Sequence, residues 1–146
     1  MTETIKLFVG LKIPDTTSIT AFNTLKKLGF KDLKKLERED YYEFQVEGDS
    51  KKFQKKIQEV DILVNANKNF SRTEEEHGKG IIYVIVKDKG NNAESLKDTL
   101  KERMNFKEIK EMSKGVLWKI TSNLDTAKKV TEALLYNPHY QEFNLL

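Results

Sequence analysis

Hydrophobic residues fall at every second position from Ile5 to Leu11 in the segment TIKLFVGLKI, with Lys6 between them and Lys12 after. That period is the mark of a strand with one buried face. Phe8 interrupts the polar row and implies that the second face is partly covered. The spacing then changes. In TTSITAFNTLKKLGF (16–30), Ile19, Phe22, Leu25 and Leu28 recur at helical intervals, and Gly29 stands where a helix commonly ends. KDLKKLERE and DYYEFQVEG read as two strands of a hairpin that turns near Glu39–Asp40, with Tyr42, Phe44 and Val46 on one face. DSKKFQKKIQEVDILV is a second helix, capped by Asp49 or Ser50 and facing inward through Phe53, Ile57 and Val60. It ends at NANKNF.

The same order then returns. GIIYVIVKD (80–88) predicts a strand, and NNAESLKDTLKERMNF (91–106) a helix with Leu96, Leu100 and Met104 inward. KEIKEMSK and GVLWKITSN make a second hairpin, with Val116, Trp118 and Ile120 together. LDTAKKVTEALLYNP closes with a helix buried through Ala127, Val130 and Leu134. Two segments align directly: GFKDLKKLE (29–37) with NFKEIKEMS (105–113) at an offset of 76, and LVNA (63–66) with LYNP (135–138) at an offset of 72. The two offsets differ by four residues, about one helical turn. The expected organisation is a first repeat over 1–70, a charged linker over 71–79 and a second repeat over 80–146. Each repeat should run β-α-β-β-α, with room for a short edge strand, and its helices should cover an antiparallel sheet in an α+β fold. Halves this small bury little alone, so they should share a core or a sheet, as in a dimer fused into one chain.

Charge narrows the function classes only modestly. The chain of 146 residues carries 26 basic and 23 acidic side chains, a net +3. Its lysine pairs lie among acids, and arginine occurs only at 38, 72 and 103, so a concentrated nucleic-acid surface is not expected. Cysteine is absent, which removes disulfides and thiolate metal sites and suggests a reducing compartment. No stretch approaches the roughly 18 apolar residues of a membrane span, so a cytoplasmic protein off the membrane is expected.

Catalytic patterns are scarce. His77 and His139 have no second histidine at ligand spacing, GKG (78–80) lacks the flanking strand and helix of a phosphate loop, and no serine sits in a nucleophile elbow. The acids Glu37, Glu39, Asp40 and Glu43 gather around the first expected hairpin turn, where water is the simplest neighbour. Residues alone therefore point to binding or scaffolding, with no catalytic residue, metal or cofactor expected.

The opening IKLFVGLKI…AFNTLKKLGFKDLKKLERE and the closing KKVTEALLYNPHYQEF together resemble the PurS family, the small subunit of phosphoribosylformylglycinamidine (FGAM) synthase. The matching positions are Leu11-Lys12, Leu28-Gly29-Phe30, Leu134-Leu135 and Asn137-Pro138. Each half resembles a whole PurS chain, so the protein looks like a tandem pair. The loop IPDTTSIT (13–20) departs from the family's aspartate-proline and glycine pattern. The family's hairpin glycine-lysine is replaced by Glu39-Asp40 in the first half, and only Gly115, after Lys114, remains of it in the second.

The resemblance implies a non-catalytic subunit in purine biosynthesis that joins an ATP-dependent synthetase (PurL-type) to a glutaminase (PurQ-type) for ammonia transfer, with further self-association to a homodimer. It also implies that the asparagine-proline break turns the chain back to complete the sheet and a subunit contact. The contact residues expected on this basis are Glu39, Asp40, Tyr41 and Lys114 at the hairpins, and Asn137, Pro138, His139 and Tyr140 at the terminal turn. The alternative is a diverged PurS-like binding or regulatory module without a synthetase partner, recognisable by a ligand pocket between the repeats.

Overall fold

The computed structural model describes residues 2–90 and 93–146. In chain order its elements are β1 (Thr2–Leu11), α1 (Thr16–Lys27), β2 (Lys35–Glu47), α2 (Ser50–Ile57), β3 (Asn69–Arg72), β4 (Ile81–Asp88), α3 (Glu94–Glu102), β5 (Ile109–Thr121), α4 (Leu124–Val130) and β6 (Gln141–Leu145). A π-helical turn, Thr131–Leu135, continues α4. The strands form one six-stranded sheet in the order β3-β1-β2-β5-β4-β6. The pairs β1–β2, β1–β3, β4–β5 and β4–β6 are antiparallel. The fold is α+β.

Each half of the chain runs β-α-β-α-β, which corrects the expected hairpins. Glu37–Asp40 and Ser113–Gly115 are not turns but the middles of two 13-residue strands, β2 and β5. Polar residues suggested a turn at the first place, yet no positive φ occurs there. Antiparallel pairing instead runs without a break from Thr2↔Glu47 to Val9↔Asp40. Gly115 has a different use from a turn glycine. It pairs with Lys87, and a Cβ at this position would stand 2.4 Å from the Val86 carbonyl oxygen.

The chain divides into two compact units built from interleaved segments. Unit 1 comprises Met1–Lys12, Asp40–Glu75 and Gly90–Lys114; unit 2 comprises Ile13–Glu39, Glu76–Lys89 and Gly115–Leu146. Thus β2 and β5 each contribute one end to either unit. The first helix of each half leaves its own half: α1 belongs to unit 2 and α3 to unit 1. Halves in sequence and units in space are different partitions of the chain.

In unit 1, Ile5, Leu7 and Val9 of β1 and Phe44 and Val46 of β2 form one apolar face, as their alternation predicts. Phe53 and Ile57 of α2 and Leu100 of α3 cover it, joined by Phe106 and Met112. Phe53 is central to this packing. Its ring meets Phe44 edge-on at 5.2 Å and Phe106 at 5.7 Å, and each such aromatic pair adds about 0.5–1.5 kcal/mol beyond area burial. Helix α2 starts where its cap residue stands, with Lys52 N–H donating to the Asp49 carboxylate at 3.1 Å. The predicted start of the helix that became α3 includes 91–92, outside the described residues. Met104, expected inward, is exposed beyond the last turn of α3.

In unit 2, Val84, Val86, Trp118 and Ile120 of β4 and β5 meet Leu25 of α1 and Ala127 and Val130 of α4, with Leu33 and Leu36 beside them. Two helical phases differ from expectation. Ile19 of α1 and Leu28, which caps its end, face solvent at 48% and 62% exposure, while Ser18 and Leu25 are buried. In the last helix, Leu135 is buried and Leu134 is not. The π turn gives the reason. Its wider winding carries one more residue than an α turn, so the inward position after Val130 falls five residues on, not four.

Asp15 caps α1 by accepting from Thr17 N–H at 2.9 Å, and it also accepts from Arg38 Nε at 2.9 Å. Burial alone would raise the Asp15 carboxyl, but the Arg38 hydrogen bond and charge, aided by the Thr17 and Ser18 contacts, hold it below the usual aspartate value.

Candidate partner interface

The turn that holds Asn137, Pro138, His139 and Tyr140 is built from asparagine chemistry. Asn137 N–H donates to Gln141 Oε1 at 2.9 Å, while Asn137 Oδ1 accepts from His139 N–H at 2.9 Å. The Asn137 carbonyl accepts from Tyr140 N–H at 3.1 Å and Gln141 N–H at 2.8 Å. Lys89 clasps the same turn, its N–H donating to the Tyr140 carbonyl at 2.8 Å and its Nζ to the Pro138 carbonyl at 2.9 Å. Pro138 gives up nothing here, since its missing N–H has no role in the turn and its fixed φ limits the unfolded chain.

Unit 1 contains the same construction 72 positions earlier. Asn65 N–H donates to Asn69 Oδ1 at 3.0 Å, and Asn65 Oδ1 accepts from Asn67 N–H at 3.0 Å. The Asn65 carbonyl accepts from Lys68 N–H at 2.9 Å and Asn69 N–H at 2.7 Å. Lys12 takes the place of Lys89, with its N–H on the Lys68 carbonyl at 2.9 Å and its Nζ on the Ala66 carbonyl at 2.7 Å. Each turn leads directly into a short strand, β3 or β6, that pairs antiparallel with the first strand of its own half. An asparagine suits both places because its side chain accepts from the backbone two residues on. Only the exposed surfaces differ: asparagine and lysine in unit 1, histidine and tyrosine in unit 2, where Tyr140 is 70% exposed.

The remaining expected contact residues lie elsewhere. Glu39 is in unit 2 with its side chain 2% exposed, and Tyr41 is fully buried in unit 1. The expectation that these positions face water at a hairpin turn is therefore corrected. Both sit on the sheet face opposite the helices, while Asp40 on the other face is exposed and Lys114 is half-buried. That opposite face is covered, as Phe8 implied. In unit 1 the Phe8 and Tyr41 rings lie 5.4 Å apart, and the Arg72 guanidinium stacks 4.6 Å above Phe8. Burial, with the Glu43 and Glu75 carboxylates, raises the Tyr41 phenol well above its ordinary value, and burial with Asp40 raises Tyr42.

The expected linker is tied to this same side in each unit. In unit 1, Glu75 pairs with Lys6 of that face, while Thr73 donates to Gln54 Oε1 of α2 at 3.2 Å. In unit 2, Lys119 lies 3.5 Å from Glu76 and 3.4 Å from the buried Glu39, and Gly78 N–H donates to the Tyr83 hydroxyl at 2.8 Å. Glu39 thus neutralises a lysine that also holds the connection. Sequence reading had no signal for this, because the carboxylate and its ammonium partner are 80 residues apart.

Among the described residues, no group of histidine, cysteine, aspartate and glutamate is arranged to hold a metal ion. No helix among them is long and apolar enough to cross a membrane. No family model matches the sequence, and no curated protein matches it.

Proposed function

We propose that this chain is a covalent pair of PurS-like copies serving as a bridging subunit of FGAM synthase, without activity of its own, in the cytoplasm. The observation that carries the reading is the twice-built asparagine turn. Each turn returns the chain as an edge strand, part of the role that the resemblance assigns to the asparagine-proline break. The shared β-α-β-α-β order of the two halves also supports a fused pair. So do Gly29 and Asn105, aligned by the sequence repeat and both in the left-handed conformation that ends a helix, at φ 102° and 62°. In this reading the exposed turn residues His139 and Tyr140 contact a synthetase or glutaminase subunit, and the chain organises ammonia transfer between them.

The test is light scattering after size exclusion, on the chain alone and mixed with the synthetase and glutaminase of its own organism, glutamine and ADP. A ternary peak is expected, together with glutamine-dependent amidine formation only when this chain is present. Synthetase and glutaminase that assemble and work equally well without it would overturn the proposal.

A further inference from the structure

The chain is 34% charged, yet unit 2 holds an open cleft of about 450 Å³ with no ionisable side chain in its lining. Thr20, Ala21 and Thr24 of α1, Leu134 and Leu135 of the π turn and Trp118 of β5 contribute to it. The size suits a small molecule. Two observations point to a ligand. Trp118 is only 7% exposed, and an indole N–H so deeply placed ordinarily finds an acceptor. No described residue accepts from it, and its nitrogen is not sealed from solvent. Its access is through the cleft that Trp118 lines.

The second observation comes from unit 1. After α1, Phe30 N–H donates to the Leu25 carbonyl at 3.2 Å; after α3, Phe106 N–H donates to the Leu100 carbonyl at 3.0 Å. Leu25 and Leu100 are therefore equivalent, and four residues earlier Ala21 stands where α3 has Leu96. Leu96 packs against the core of unit 1. The much shorter Ala21 leaves room instead.

We propose that this cleft binds a neutral, mainly apolar ring molecule whose carbonyl or equivalent acceptor takes the Trp118 indole N–H. The lining selects each property. Indole is a donor only, so the ligand must bring the acceptor. A carboxylate would lose its hydration with no cation in the lining to replace it. Ala21, Leu134 and Leu135 suit an apolar body, and the threonine hydroxyls, which donate and accept, suit a polar outer edge. At 7% exposure the indole offers no broad face, so stacking of a sugar is not what it provides. The site is independent of the bridging reading. It is formed by segments from both halves of the chain, as a diverged binding module would require.

Trp118 is the only tryptophan of the chain, so a nitrogen-15-labelled sample gives a single indole cross-peak. The probe is acetophenone, a neutral ring with one carbonyl. Its titration should move that peak saturably, together with the amides of Ala21 and Leu135. Benzoate, similar in size but charged, should bind about tenfold more weakly or worse. Ala21→Leu installs the residue that unit 1 uses, so the fold should hold, as circular dichroism will verify, and acetophenone should bind about tenfold more weakly as the space fills. Trp118→Phe should lower the affinity for acetophenone relative to ethylbenzene, which lacks the acceptor, by about fivefold, the worth of one net hydrogen bond. An indole peak that acetophenone leaves in place overturns the proposal, as does benzoate binding of equal strength. So does a titration unchanged in Ala21→Leu, or an unchanged affinity ratio in folded Trp118→Phe.

Discussion

Unit 1 and unit 2 use one plan with different fillings. Each has a helix from either half of the chain, one end of β2 and one end of β5, and an asparagine turn that delivers a short edge strand. Unit 1 packs three phenylalanine rings, Phe44, Phe53 and Phe106, under a second helix of eight residues. Unit 2 packs mostly aliphatic side chains around Trp118, under a helix of seven residues extended by a π turn of five. The repeated part is the backbone hydrogen bonding of the turns and strands. The core identities differ, and a core accepts many fillings of suitable volume, whereas a turn needs a particular acceptor at a particular place.

The largest expected effect probes whether the units are energetically separate. Phe53→Ala removes the middle ring of the unit 1 cluster and should cost about 3–5 kcal/mol. Because β2 and β5 run through both units, the loss should appear as one earlier denaturant transition, with amides of Val84 and Ile120 losing hydrogen-exchange protection alongside those of Leu7. Retained protection in unit 2 would make the units independent.

The connection between the halves offers a sharper contrast. Lys119→Met removes the ammonium that lies 3.4 Å from the buried Glu39 carboxylate and should cost about 3 kcal/mol. Lys119→Met combined with Glu39→Gln should recover much of that. In unit 1, Lys6→Met breaks a half-exposed pair with Glu75 and should cost no more than about 1 kcal/mol. Equal losses in urea melts for the two lysine variants would deny burial its role.

Exchanging the aligned residues of the turns tests their equivalence. Pro138→Ala should lose about 0.4–1 kcal/mol, and Ala66→Pro should gain about as much, since both positions follow an asparagine in the same hydrogen-bonded turn. Thermal melts measure both. A destabilising Ala66→Pro would show that the backbones differ despite their shared bonds.

The smallest effects are in the pH dependence. Tyr41 and Tyr42 have raised folded values, so the protein binds more protons than the unfolded chain above the ordinary tyrosine value of 10.0, and stability should fall as pH rises past it. Asp15 has a lowered folded value, so its contribution is present above the ordinary 3.8 and is lost as pH falls through the folded value. Tyr41→Phe should flatten the alkaline limb, and Asp15→Asn the acid one, in pH-dependent urea melts.

Much of this was legible residue by residue. Alternation identified the faces of Ile5, Leu7 and Val9 and of Val116, Trp118 and Ile120. The alignment of LVNA with LYNP anticipated that Asn65 and Asn137 hold equivalent places. Such features are local: they depend on which side chains recur, and on an acceptor two residues from its donor. The middles of β2 and β5 were not legible. Glu39 and Tyr41 looked like turn residues because nothing nearby in sequence shows that Phe8 and Lys119 await them. The tertiary structure alone determined that two expected hairpins are single strands, that α1 and α3 leave their own halves, and that a π turn buries Leu135 in place of Leu134. A local pattern fixes which face of an element is apolar. What covers that face, and whether a polar stretch finds partners on both sides, is settled by residues scores of positions away.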